Sequence, residues 1–341
     1  MIVVQKYFKL FFLLMILGLA GCKENRWKAD TDEIKVDAHI TRFEKILFEL
    51  DTNQWQTQFT KVSTQHNDLT ELMMERVFML GRVSSPRAQD SLKGLITNVY
   101  FDSVYQDIQK TYTDAEIKNL EQDLEEAFKR WKYFFPKDSL PRIYTSISGF
   151  NFQVVTYEYA LCIFLDMFLG KDYRYYDFPY YITRRLSKEY IMPEALKTIF
   201  MAKYNERQLI DQTMLSSMIY SGKMLYFTEV LAPELADTLR IGYTKKQLNW
   251  CEENEGQMWQ HLTGENILYT TDQYLIMKYL KEAPYTAADG VPNDSAPRLG
   301  EWVGWQIVRK YMDENRDVTL EQLFNDKDYK KILQKSRYKP K

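Results

Sequence analysis

The chain has 341 residues, with 45 Lys and Arg against 47 Asp and Glu, a formal charge of -2 at neutral pH, and 45% apolar and 15% aromatic residues. A near-neutral, slightly acidic balance argues against a nucleic-acid partner, and the apolar content suffices for a sizeable core, which argues against disorder.

Met1 to Gly21 begins basic, at Lys6 and Lys9, and continues as an apolar run, LFFLLMILGLA. The run is too short to span a bilayer, for which about 20 apolar residues are needed, and has the form of a secretion signal. It closes on Leu19-Ala20-Gly21-Cys22, the bacterial lipobox. Cleavage before Cys22 and acylation of its thiol and new amino terminus, with palmitate or similar chains, are therefore expected, giving an anchor of two or three chains where one would be marginal. The expected division is a signal peptide over 1–21, a lipidated polar tether over 22–33 and a single globular domain over 34–341, held at the membrane in the cell envelope and facing the periplasm.

Ile34 to Ile40 alternates as a strand does, and Arg42 to Leu50 reads as a short helix. Helical patterns follow near Asp68 to Arg82, Pro86 to Asn98 and Phe101 to Lys110. Asp114 then opens a strong helix whose stripe is Ile117, Leu120, Leu124, Ala127, Phe128 and Trp131, with Pro136 beyond its end. From Pro141 the period changes to alternation, which predicts a small sheet of two or three strands over about 141–169, with Gly149-Phe150-Asn151 as a hairpin connection. Its last strand, Leu161 to Leu169, is apolar enough to be buried on both faces. Cys162 lies in that run, so a disulfide with Cys251 and a buried free thiol are both open readings.

Lys171 to Tyr181 carries five tyrosines, among them Tyr175, Tyr176, Tyr180 and Tyr181. They read either as a wall packed on the sheet or as a platform for a glycan or extended peptide. Asn205 to Pro233 predicts a long central helix, capped by Asn205 with Gln208, whose stripe is Leu215, Met218, Ile219, Gly222, Tyr226 and Val230. Gly222 in that stripe predicts a second backbone crossing very close, since a helical Gly costs about 1 kcal/mol against Ala. Tyr243 to His261 and Thr271 to Glu282 read as helices. A fifteen-residue loop from Ala283 to Pro297 is long enough for a cover, and it leads into a helix over Arg298 to Asn315 whose Gly300 and Gly304 allow close approach. A last short helix falls near Asp326 to Gln334. The predicted fold class is α+β, mostly helical.

Several stretches in order, Ile147-Ser-Gly-Phe-Asn151, Leu165-Asp-Met-Phe-Leu-Gly170, Met218-Ile-Tyr-Ser-Gly-Lys-Met-Leu-Tyr-Phe227, Pro297-Arg-Leu-Gly-Glu-Trp-Val-Gly-Trp-Gln-Ile-Val308 and Ser336-Arg-Tyr-Lys-Pro340, resemble the gliding-motility-associated lipoprotein GldB family. The resemblance covers about Ile34 to Pro340. It implies a membrane-anchored envelope lipoprotein of the Bacteroidetes type, required for gliding motility or the protein secretion bound up with it, whose partners are other envelope proteins of that machinery. A weaker likeness joins Ile219 to Phe227 to the later helix of zincin-type metallopeptidases, with Ser221 where a ligand Glu would stand. That likeness implies a degenerate zincin-like fold without metal, because His39, His66 and His261 are never within four residues of each other and no H-E-x-x-H occurs.

No catalytic residue, metal ligand or cofactor motif is recognisable, so the favoured reading is a non-catalytic adaptor or scaffold. The alternative is an envelope hydrolase, a peptidase or glycan-acting enzyme, using carboxylates such as Glu158 and Asp166. Lys223 and Glu229 bracket Tyr226 and read as a surface ion pair worth at most about 1 kcal/mol. The candidate binding surface thus comprises Glu158, Asp166, Tyr176, Tyr180, Tyr181, Ser221, Gly222, Lys223, Tyr226 and Glu229.

Overall fold

A computed structural model of the chain describes residues 26–205 and 212–340. The expected signal peptide, Cys22 and the capping residue Gln208 lie outside them. Of the tether, Arg26 to Glu33 is described, with the Arg26 guanidinium 4.5 Å over the Trp27 ring; residues from Ile34 on form a separate unit.

That unit is α+β. It runs through β1 (Ile40–Arg42), α1 (Phe43–Phe48), α2 (Trp55–Gln65), α3 (Asn67–Glu71) with a π-helical turn at Leu72–Val77, α4 (Pro86–Ile96), α5 (Val99–Thr111) and α6 (Asp114–Phe134). Then come β2 (Arg142–Ser146), β3 (Val154–Tyr157) and β4 (Ala160–Phe164), followed by α7 (Tyr180–Thr183), α8 (Ile191–Lys203), α9 (Met214–Leu231), α10 (Asp237–Ile241), α11 (Lys245–Glu253) and α12 (Glu255–Gly264). The chain closes with α13 (Gln273–Leu280), α14 (Leu299–Glu314), α15 (Leu320–Asn325) and α16 (Tyr329–Ser336).

The sheet has four strands in the order β1-β2-β4-β3. β2 is parallel to both β1 and β4, and only β3 and β4 are antiparallel. β4 is therefore internal and buried along its whole length, as its apolar run predicts. Gly149-Phe150-Asn151 is not a hairpin turn, because β2 and β3 are not neighbours. The hairpin turn is Glu158-Tyr159, with Glu158 at φ 50°, a position where no Gly or Asn advertised it. The expected strand at Ile34 to Ile40 shrinks to Ile40–Arg42, the residues that find partners opposite Ile143, Tyr144 and Thr145. Cys162 and Cys251 are both buried free thiols.

The strong helix at Asp114 forms as its pattern predicts, with Thr113 accepting from the Glu116 amide at 3.4 Å and Pro136 past the end. The central helix is shorter than expected. α9 starts at Met214, because Thr213 rather than Asn205 supplies the cap, accepting from the Ser216 amide at 3.3 Å. It is enclosed on every side, and only Ser221 and Glu229 escape full burial. The Gly222 expectation holds: a Cβ there would strike the Gly304 carbonyl, and one on Gly304 would strike the Met218 carbonyl. α9 and α14 thus cross backbone to backbone. The expected helix over 243–261 is two, α11 and α12, broken at Asn254, whose side chain bonds back to the Trp250 carbonyl at 2.8 Å. α2, α7, α8, α10 and α15 were not foreseen.

Candidate functional site

Immediately after β4, Asp166 sits in a single 3-10 turn, Leu165–Phe168, with no exposure to solvent. Its carboxylate accepts from the Ser148 amide at 3.0 Å and the Phe150 amide at 2.7 Å, and the Ser148 hydroxyl lies 3.3 Å away. The same hydroxyl accepts from the Asn151 and Phe152 amides at 3.1 and 3.2 Å. One carboxylate and one hydroxyl therefore satisfy the turning backbone of 148–152, where a buried amide left alone would cost about 1–3 kcal/mol. Burial pushes the Asp166 carboxyl up to about 6, against the pull of the amide bonds it accepts.

The lock matters because it holds an unfavourable backbone. Gly149 and Phe150 take φ of 67° and 64° in succession, a region that a bulky residue rarely enters. Held there, the Phe150 ring meets Tyr176 edge-on at 5.7 Å and Tyr173 at 6.2 Å. The ring series continues through Tyr175, 5.6 Å from Tyr173, to Tyr100 on α5, 4.5 Å from Tyr175. Tyr173, Tyr175 and Tyr176 are each pinned at the hydroxyl or by a cation. The Tyr176 hydroxyl donates to the Asp166 carbonyl at 2.7 Å and accepts from the Leu169 amide, and Tyr173 donates to Asp107 at 3.0 Å. The Arg174 guanidinium lies 4.6 Å over Tyr175 and pairs with Asp107. The product is a ledge of half-exposed rings, with Tyr100 47% and neighbouring Phe152 40% exposed. Of the two readings of the tyrosine run, Tyr176 serves the wall, while Tyr173, Tyr175 and Tyr100 present edges outward.

The other expected residues are scattered. Tyr180 is 67% exposed at the head of α7 and Tyr181 is half-buried beside it. Glu158 is exposed in the hairpin turn, lining a cavity of about 360 Å³ with Asp138, Lys203 and Tyr159. It lies at the opposite end of β4 from Asp166, across five strand residues or roughly 17 Å, and the two are no acid-base pair. Tyr226 and Gly222 are core, and Ser221 is half-buried on α9. Lys223 and Glu229 do not form the expected surface pair. Lys223 is buried, donates to the Asp326 carbonyl at 2.5 Å and lies over the Tyr329 ring. Glu229 instead accepts from the Trp305 indole at 2.9 Å and from Arg309 at 2.8 Å. Lys223 left the surface because α9 is enclosed there, whereas Glu229 stays partly exposed and turns to α14.

Residue-by-residue reading missed an enclosed ion network. On α8, Glu194 receives Lys197 at 3.2 Å and Arg185 at 2.5 Å. Arg185 also meets Glu282, and Glu282 meets Arg298 at 3.0 Å, which in turn holds Glu301 at 2.6 Å. Burial alone would raise the Glu194 carboxyl, yet Lys197 and Arg185 hold it at about 2. Glu282 and Arg298 flank the 283–297 loop, so the network clamps both ends of that loop to α8. The visible signals were the i,i+3 pairs Glu194/Lys197 and Arg298/Glu301, which on a helix surface mean little and in the interior mean much. Among the described residues no three His, Cys, Asp or Glu side chains gather in a way that could hold a metal ion.

A family model described as gliding motility protein GldB matches residues 24–340. The chain belongs to the GldB family. The matched span contains the ledge, the helix crossing and the ion network alike, and it ties this GldB-family chain to gliding motility. No curated protein and no solved structure matched. Among the described residues no helix is long and apolar enough to cross a membrane.

Proposed function

We propose that this GldB-family chain is a non-catalytic adaptor of the gliding machinery, tethered to the membrane by acyl groups on Cys22 and docking another envelope protein on its aromatic ledge. The observation that carries this reading is the ledge itself: rings fixed at hydroxyls and cations, half-exposed, on a backbone kept in a costly shape by a buried carboxylate. Rigid aromatic anchors contribute much of the energy of protein interfaces, because they bury large areas while losing little side-chain freedom. Asp166, whose carboxyl burial raises to about 6, is consumed in holding backbone amides. Glu158, the other carboxylate of the hydrolase reading, lies at the far end of β4 from it.

Two experiments test the proposal. Cys22→Ala is expected to abolish fatty-acid labelling and leave the precursor unprocessed, and normal labelling of that variant would refute the tether. Crosslinking from detergent-solubilised envelopes is expected to trap a protein through a photoreactive residue at Tyr175 and not through one at Tyr274, an exposed tyrosine on α13. Equal trapping at both positions would refute the ledge as the docking surface.

A further inference from the structure

Lys223 follows Gly222 on α9 and is 2% exposed, yet no carboxylate among the described residues lies within ion-pair distance of it. An ammonium has three donors; here one reaches the Asp326 carbonyl at 2.5 Å, and the Tyr329 ring lies 5.2 Å off. The nearest carboxylate, that of Asp326, is taken by Lys331 at 2.6 Å. Burying a cation with so little compensation is expensive, and folded proteins normally pair such a group or replace it by an apolar one. The charge is kept beside a cavity of about 100 Å³ whose walls include Lys203, Tyr204, Tyr220, Lys223, Lys327 and Tyr329. The Tyr204 hydroxyl there is buried and has no hydrogen-bond partner among the described residues. Lys203 is engaged with Asp138, and its ammonium lies 5.2 Å over the Tyr204 ring. Among the described residues no acidic side chain lines the cavity.

We infer that this cavity is a binding site for an oxyanion head group, a carboxylate or a phosphate, with the Lys223 ammonium and the Tyr204 hydroxyl as its donors. Its volume is that of a few waters and below the roughly 150 Å³ that holds a benzene ring, so it takes the head of a ligand and not its body. Its charged donor, the Lys223 ammonium, is a point charge without the fork of an arginine, which suits an oxyanion approached from several sides. Burial has pushed the Lys223 ammonium down to about 7, with the Asp326 charge opposing and Lys331 assisting. An anion in the cavity restores the proton, so binding above that pH takes up a proton from solution. The groups that face the ammonium are Asp326, Lys331, Lys203, Lys327 and the hydroxyls of Tyr204, Tyr220 and Tyr329.

Calorimetric titration of the detergent-solubilised full-length protein with acetate, with inorganic phosphate, and with trialanine bearing a free or an amidated C-terminus tests this. The expected result is saturable binding of at least one oxyanion, with proton uptake on acetate binding at alkaline pH. Preference for free-ended trialanine over acetate assigns the head group to a chain terminus; preference for phosphate assigns it to a phosphoryl group. Lys223→Met is expected to weaken binding by roughly 10- to 100-fold and Tyr204→Phe by about 3- to 10-fold. In the absence of anion Lys223→Met is expected to melt higher than wild type, since it removes an uncompensated buried charge. Should that variant not fold, Tyr204→Phe and the proton uptake of the wild type still decide. No saturable binding by any probe into the millimolar range, or binding that survives in both variants, overturns the site.

Discussion

At the Gly222–Gly304 crossing two helices are held by the absence of side chains, whereas at the 147–152 loop the backbone is held by a carboxylate rising from the turn after β4. The crossing presents nothing outward: α9 is enclosed, and its precision is spent on packing. The loop does the reverse, since its hydrogen bonds are internal and its rings are displayed. A tight contact in the core stabilises the fold, but a strained loop with its Ser148, Phe150, Asn151 and Phe152 amides satisfied and its rings half-exposed stabilises a shape for something else to meet. Substitutions at the two places are accordingly expected to separate stability from function.

The largest loss is expected at the crossing. Gly304→Leu places a branched side chain against the Met218 carbonyl, and neither backbone can yield without parting α9 from α14. It is expected to lower the unfolding free energy by about 3 kcal/mol or more, read by urea denaturation, and an unchanged midpoint would show that the crossing is loose.

Next comes Asp166→Asn, which turns an amide NH2 toward either the Ser148 or the Phe150 amide and leaves one donor without an acceptor. A loss of about 1–3 kcal/mol is expected, together with weakened partner capture. The pH dependence sharpens this. The Asp166 carboxyl stands at about 6 when folded and 3.8 otherwise, so between those values the folded state holds the extra proton. Its contribution is greatest below pH 3.8 and is lost as pH rises through 6, a swing of about 3 kcal/mol at most. The difference between wild-type and Asp166→Asn stability is therefore expected to narrow between pH 4 and 6. A difference that stays flat across that range would mean that the carboxyl titrates normally.

The smallest stability effect is expected on the ledge. Tyr175→Ala removes a half-exposed ring whose hydroxyl lies 3.3 Å from Ser103, for a loss of about 1 kcal/mol or less, while partner capture falls by tenfold or more if the ring is an anchor.

Sequence patterns carried the helical elements further than the sheet. The stripe of α6 with Pro136 past its end, the Gly222 contact and the long loop before α14 were legible because periodicity, a helix-stopping proline and a lone helical glycine each have one physical meaning, whereas the Thr113 cap was not read. The four-stranded order was not, since parallel pairing of β1 with β2 joins residues about a hundred positions apart and leaves no local mark. The hairpin was misplaced for a similar reason: Gly149 and Asn151 advertise a turn, yet they serve a loop tied to Asp166, and the true turn at Glu158 lacks any such residue. Asp166 itself was visible as a carboxylate near the sheet, but whether it faces substrate or backbone amides depends on a loop sixteen to eighteen residues earlier. Lys223 and Glu229 were misread because the sequence shows one apolar stripe on α9 and not that every face is covered.

Complementation of gliding in a strain lacking its own copy bears most directly on the adaptor account, using folded, envelope-located variants. The account predicts that combined Tyr100→Ala and Tyr175→Ala behaves like the deletion while Glu158→Ala and Ser221→Ala, changed one at a time, glide as wild type. Normal gliding by the double ledge variant, with failure of either single polar variant, would contradict it and point to a catalytic group.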